Sequence, residues 1–142
     1  MDYLYKNKKI VCVVSDNLET WQVMNVIGHL AISLGANKDR DLMGQSILID
    51  ASNVEHKGIA RYGFIIKKGN KASIREALGF SKVNKNIVTF DFPREMIDTS
   101  HDDELIDLVS KKEEKDFEYL GAIFYGTSIE VNLLTKHFPL WS

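Results

Sequence analysis

"KIVCVVSDNLETWQVMNVIGHLAISLG", Lys9 to Gly35, holds the choice between fold classes, because it joins a continuous β-rich run to a long helical pattern. Lys9 to Val14 is apolar at successive rather than alternate positions, which predicts a strand covered on both faces. Residues 19 to 35 then repeat their apolar side chains at helical spacing. A buried strand that passes at once into a helix predicts an α/β protein whose helices lie against a sheet.

The rest of the chain continues this alternation. "QSILID", "RYGFIIKK", "NIVTFDF" and "LGAIFYG" are rich in β-branched or aromatic residues and bounded by Gly, Asn, Asp or Ser, so they predict four further strands. Helical patterns cover residues 71 to 79, ending near Gly79, an acidic stretch near 101 to 112, and residues 128 to 136. The expected architecture is a mixed sheet of about four to five strands with helices packed on both faces. At 142 residues, with two prolines and nine glycines, the chain reads as a single domain over 1–142, without a disordered linker or an internal repeat.

Composition excludes several classes. No run approaches the roughly 20 apolar residues that span a bilayer, and the short N-terminal apolar run is ended by charge, so no membrane role and a cytoplasmic location are expected. The one cysteine, Cys12, lies in an apolar run and reads as a buried structural thiol. Net charge is −2, yet residues 57 to 85 hold eight Lys or Arg against one Glu, and residues 91 to 118 hold eleven Asp or Glu against four Lys or Arg. A basic surface for a phosphate-rich partner is one reading. Two solvated segments that partly neutralise each other is the reading preferred here, and nucleic acid is not expected as a partner.

Motifs for common chemistries are absent. Neither GxGxxG nor GxxxxGK[ST] occurs, so no nucleotide cofactor is expected. The four histidines, His29, His56, His101 and His137, are scattered without metal-ligand spacing, and no GxSxG elbow is present. The carboxylates of residues 102 to 107 read as a solvated helix face. In "SDNLETWQ", after the first strand, Asp16 or Asn17 can cap the helix and Glu19 suits its positive end. Asp50 ends an apolar strand, where a carboxylate either caps a turn or faces a cleft.

On a wheel of about 100° per residue, Val23, Met24, Val26, Ile27, Leu30, Ala31 and Leu34 fill a broad apolar arc. Gln22, Asn25, His29 and Ser33 share one polar stripe. Residues at i and i+4 lie one above the other, so Asn25 and His29 could meet one ligand, bond each other, or form an ordinary solvent-facing edge.

"KKIVCVV", "WQVMNVIGHLAISLGA", "YGFIIKKGNKASIREAL" and "YLGAIFYGTSIEVNLLTKHFPLW", in that order, resemble the peptidyl-tRNA hydrolase II fold. The chain is more closely similar to uncharacterised bacterial proteins assigned to that fold, which carry an Asn and a His in the first helix and end in a Leu-Thr-Lys, Phe, Leu-Trp pattern. "NVIGHLA" and "LLTKHFPLW" carry most of this likeness. The resemblance implies a homodimer as one assembly. It also locates what differs: the hydrolase begins its first helix with Gly-Lys, where this chain has Trp21 and Gln22, and a glutamine that follows becomes Val26. The hydrolase histidine falls on His29. No Asp-Ala-Gly-x-Thr segment precedes the last strand, and a Gly-Pro after it becomes Gly126 and Thr127.

Cleavage of a peptidyl-tRNA ester needs a positioned water and groups that stabilise an oxyanion beside a phosphate backbone. A neutral Gln22 in place of lysine weakens both functions. The expectation is therefore a hydrolase-like scaffold used as a non-hydrolytic binding or regulatory module, with a small polar ligand held by Asp16, Gln22, Asn25 and Asp50. The alternative is a hydrolase with rebuilt groups, in which His29 is the catalytic acid or base and Asn25 orients a carbonyl. The apolar C-terminal residues Phe138, Leu140 and Trp141 are expected to dock onto the chain's own sheet or onto another subunit.

Overall fold

A computed structural model describes residues 7–37, 40–44 and 47–142. The order of elements is β1 (Lys8–Ser15), α1 (Thr20–Ala36), β2 (Ile47–Ile49), β3 (Glu55–Lys57), β4 (Gly63–Gly69), α2 (Lys71–Lys82), β5 (Val88–Pro93), α3 (Glu95–Asp98), α4 (Asp102–Ser110), β6 (Tyr119–Thr127) and α5 (Ser128–Thr135). Short 3₁₀ turns at Arg40–Leu42 and Glu114–Asp116 complete the set.

Four strands form one mixed sheet in the order β4, β1, β6, β5. β1 is parallel to β4 and antiparallel to β6, and β5 is antiparallel to β6. The central strands are the most apolar: Ile10 to Ser15 and Tyr119 to Gly126 are buried throughout. Alternation along β1 divides them between two layers. Ile10, Cys12 and Val14 face a core that includes Val23, Val26, Leu30 and Leu34 of α1. Val11 and Val13 face Ile74, Ala77 and Leu78 of α2 and Val131 of α5. Helices thus cover both faces, as the continuous apolar run of β1 predicts.

β6 changes phase near its start, where Phe92 pairs with Gly121 but Pro93 pairs with Tyr119. The extra residue, Leu120, shares the α1 side with Ile123 and Tyr125. Cys12 is fully buried, and burial pushes its thiol pKa up to about 12.

The sequence-based expectation differs from the structure in four places. "QSILID" does not join the main sheet: β2 pairs only with β3 in a separate antiparallel ribbon, and Gln45 and Ser46 lie outside the described residues. The ribbon closes because the Asp50 carboxylate accepts from the amides of Ser52 and Val54 at 2.8 and 3.0 Å, with Asn53 in the left-handed region at φ 61°. α2 runs past Gly79 to Lys82, since Ser81 is buried and returns its hydroxyl to the Leu78 carbonyl at 2.9 Å. The α1 N-cap is Glu19 rather than Asp16 or Asn17, because β1 continues through Ser15 and the chain needs a short connection before it can turn. Met24, placed in the apolar arc by the wheel, is 67% exposed.

The C-terminal residues dock onto the chain's own sheet. Lys68 donates its amide to the Pro139 carbonyl and Trp141 to that of Ile66, each at 3.0 Å, so the tail lies along β4. No helix among the described residues is long and apolar enough to cross a membrane.

Candidate functional site

A partly polar concavity lies beside the middle of the first helix. α1 carries His29 one turn beyond Asn25, and β5 brings the buried Phe92 beneath it, with ring centroids 5.9 Å apart and planes tilted by 51°. β5 then passes into α3 and α4, which close the other side with Met96, Thr99, Ser100, His101, Asp102 and Leu105. The resulting cleft holds about 200 Å³.

Local chemistry explains how the far wall is held. Thr99 donates its hydroxyl to the Glu95 carbonyl at 2.8 Å, and Ser100 donates its amide to the Glu104 carboxylate at 3.2 Å. His101 is the α4 N-cap residue in extended backbone, and its side chain makes no cap bond. Asp102, Asp103 and Glu104 complement the positive end of the helix dipole. Below them, Lys112 forms an ion pair with the buried Glu95, and Arg94 grips Glu118 through two bonds of 2.7 and 3.2 Å. The guanidinium of Arg94 holds the Glu118 carboxyl below its ordinary pKa.

Two imidazoles, a carboxylate and two hydroxyls thus share a cleft with an aromatic and two aliphatic side chains. Such a lining can donate and accept hydrogen bonds around a small polar molecule while its apolar residues cover the molecule's carbon atoms. A working general base requires a second group that orients its imidazole. Among the described residues no hydrogen bond reaches the ring of His29 or of His101.

Of the five residues singled out in the sequence, only His29 lines this cleft. Asn25 is exposed one turn earlier on α1. Asp16 follows β1 and is tied by its amide to the Gly69 carbonyl at 2.9 Å. Gln22 returns its side-chain oxygen to the Glu19 amide at 3.0 Å, so it works as the N3 residue of a capping box. Asp50 belongs to the ribbon turn, where its second oxygen also meets His56 at 2.9 Å. The hydrogen bond with His56, joined by those of Val54 and Ser52, lowers the Asp50 pKa.

His101 and Asp102 are what the sequence reading misses. Nothing local to them signals a site, since they begin an acidic helix with no buried residue, as a solvated helix would. Their meaning comes from His29, 72 positions earlier. Among the described residues no group of three or more His, Cys, Asp or Glu side chains is placed to hold a metal ion.

The basic and acidic segments meet each other. Arg75 pairs with Glu114 at 2.6 Å and also donates to the Phe117 carbonyl, and Lys82 pairs with Asp91 at 3.5 Å.

Comparisons with known proteins add fold but no activity. Residues 8–142 match the profile of a family described as protein of unknown function, DUF2000. A solved structure of a protein of unknown function from Agrobacterium tumefaciens superposes with a TM-score of 0.83 at 20% sequence identity, covering 96% of this chain and 98% of that one. At this identity the likeness is one of fold. None of the curated proteins compared with the chain matches it.

Proposed function

The chain belongs to the DUF2000 family of proteins of unknown function, and within it we propose a non-hydrolytic binding or regulatory module that holds a small polar ligand in the cleft at His29. The observation that carries this reading is the convergence of His29, His101 and Asp102 on one cleft of about 200 Å³. A ligand of that size would place a donor against Asp102, an imidazole or the Thr99 hydroxyl, whose own proton goes to the Glu95 carbonyl, and an acceptor against the Ser100 hydroxyl. The scaffold is read as peptidyl-tRNA hydrolase II-like on the strength of the sequence resemblance, and as a single cytoplasmic domain from the chain's length and composition.

Two observations favour binding over hydrolysis. Gln22, which stands where the hydrolase has lysine, is a neutral side chain spent on the helix cap. His29 also lacks a hydrogen-bonded orienting group among the described residues, so its ring is not preset as a general base.

Titration of labelled protein with a panel of amino acids, hydroxy acids and nucleosides, read at the His29 and His101 ring resonances, tests the proposal. At least one class should shift both rings. His29→Ala and His101→Ala should each weaken that binding by about tenfold, the loss expected for one well-placed hydrogen bond in a small site. A panel that shifts neither ring sinks the binding reading. Peptidyl-tRNA turnover by wild type that vanishes in His29→Ala would replace it with the hydrolase alternative.

A further inference from the structure

α4 forms one wall of the His29 cleft, yet its own packing does little to hold it there. None of its nine residues, Asp102–Ser110, is buried, and Ile106 is 64% exposed. Only Leu105, which lines the cleft, is half-buried. A helix this short is marginal in water without tertiary support.

What fixes the helix lies at the two ends of its segment. Glu95, in α3 before it, is 5% exposed, and Lys112, just after it, reaches back to pair with that carboxylate. The pair therefore joins the ends of the stretch that contains α4. Glu95 Oε2 is buried with no hydrogen-bond partner among the described residues, so there Lys112 is the one group that holds the carboxylate. The side-chain bonds of α4 and its flanks, Ser100 to Glu104, Ser110 to the Asp107 carbonyl and Lys111 to Asp107, stay within the segment. Outside it the chain is anchored: Arg94 grips Glu118, and Arg75 holds Glu114 and the Phe117 carbonyl.

A buried carboxylate with a single partner makes such a tie all-or-none. Once Lys112 withdraws, Glu95 carries a charge with nothing to bond, so it either recaptures the ammonium or opens to water. From the unburied helix, the ion pair that joins its ends and the inward bonding of its segment, we infer that Glu95 and Lys112 form a latch that positions α4. Latched, α4 presents His101 and Asp102 to the cleft opposite His29; released, it leaves and the cleft loses that wall. Glu95 and Lys112 are positioning residues, since neither lines the cleft. The functional meaning rests on the cleft reading above: a ligand that touches His101 or Asp102 binds the latched form better and favours it, and releasing the latch weakens that ligand. The latch itself is tested without a ligand.

The measurements are amide hydrogen exchange of the whole chain and the ring resonances of His29 and His101. In wild type the amides of Leu105 to Ser110 should exchange faster than those of β1 and β6, through an opening that leaves the sheet intact. Glu95→Gln keeps the shape and removes the charge; Lys112→Met keeps the stem beside the Phe117 ring and removes the ammonium. Each should speed α4 exchange by about tenfold, as loss of one charge-assisted hydrogen bond would do, and shift the His101 ring while β1 and β6 rates stay unchanged. Lys112→Arg retains the charge and should keep the wild-type rates and ring positions. If Glu95→Gln fails to fold, the two Lys112 variants decide, because they alter only the half-exposed end of the pair. Unchanged α4 exchange in Lys112→Met overturns the inference. So does loss of protection in α4 and the central strands together, which makes the pair part of the global core, and so does Lys112→Arg behaving like Lys112→Met. Failure of the cleft reading looks different: the variants release α4 as expected, while the panel of amino acids, hydroxy acids and nucleosides shifts neither ring.

Discussion

Gly121 decides how closely α1 can approach the sheet. A Cβ at this position would fall 2.6 Å from a methyl of Val26 and 3.1 Å from the Val13 carbonyl oxygen, neither of which can swing away as a long side chain could. Gly121→Ala should therefore act by overpacking, with a cost of about 1–3 kcal/mol. Denaturant unfolding of the variant checks this, and a stability equal to wild type would mean that α1 shifts freely on the sheet. A shift of α1 would also move His29 relative to Phe92, so the ring resonances of His29 should change in the same variant. At this scale the sequence is informative about type and silent about distance. The burial of Cys12, Val26 and Leu30 follows from the apolar runs that contain them, whereas the need for glycine at 121 depends on two residues about a hundred positions earlier. The meeting of His29 with His101 and Asp102 around one cleft is hidden for the same reason.

Among the elements, the β2–β3 ribbon shows how a short polar segment can override a strand pattern. Ile47, Leu48 and Ile49 look like a core strand, yet all three are exposed, because the turn at Asp50 directs the chain into Glu55–Lys57 rather than into the main sheet. Strand candidates were readable from β-branched content; which sheet each one joins was not, since that choice rests on one carboxylate and the left-handed Asn53. The turn should respond to acid in a definite direction. The folded-state pKa of Asp50 lies below its ordinary value, so its contribution is present above the ordinary carboxylate range, near 3.9, and is lost as pH falls through the lower folded value. Amide shifts of Ser52 and Val54 should therefore hold their folded values down to the ordinary carboxylate range and move toward random-coil values only as the pH falls below it. Asp50→Ala should show those shifted values already at pH 6. Unchanged amides in that variant would assign the turn to Asn53 alone. α4 illustrates the converse: its acidic pattern correctly predicts a solvated helix, and the cleft that its first turn completes is invisible from within the helix.

For the molecule as a whole, the weak point of a four-stranded sheet is its edges, which expose unpaired amides and carbonyls to other chains. β4 lies at one edge, and the C-terminal tail covers it through the bonds from Lys68 to Pro139 and from Trp141 to Ile66. The apolar tail signals docking in the sequence itself; that it docks as a strand-like cover on β4 requires the sheet order. Phe138 anchors it, 4% exposed, against Gly69, where a Cβ would come within 2.5 Å of the ring. Anchor and cover can be separated experimentally. Phe138→Ala should remove the buried ring but leave the main-chain pairing possible, lowering stability by about 3–5 kcal/mol with the chain's association state unchanged. Deletion of residues 138–142 should cost a similar amount and in addition free the β4 edge, so the truncated chain should associate in a concentration-dependent way in sedimentation. A truncated chain that sediments like wild type at all concentrations would show that β4 is protected by its own twist and by Lys67 and Lys68, and that the tail contributes packing alone.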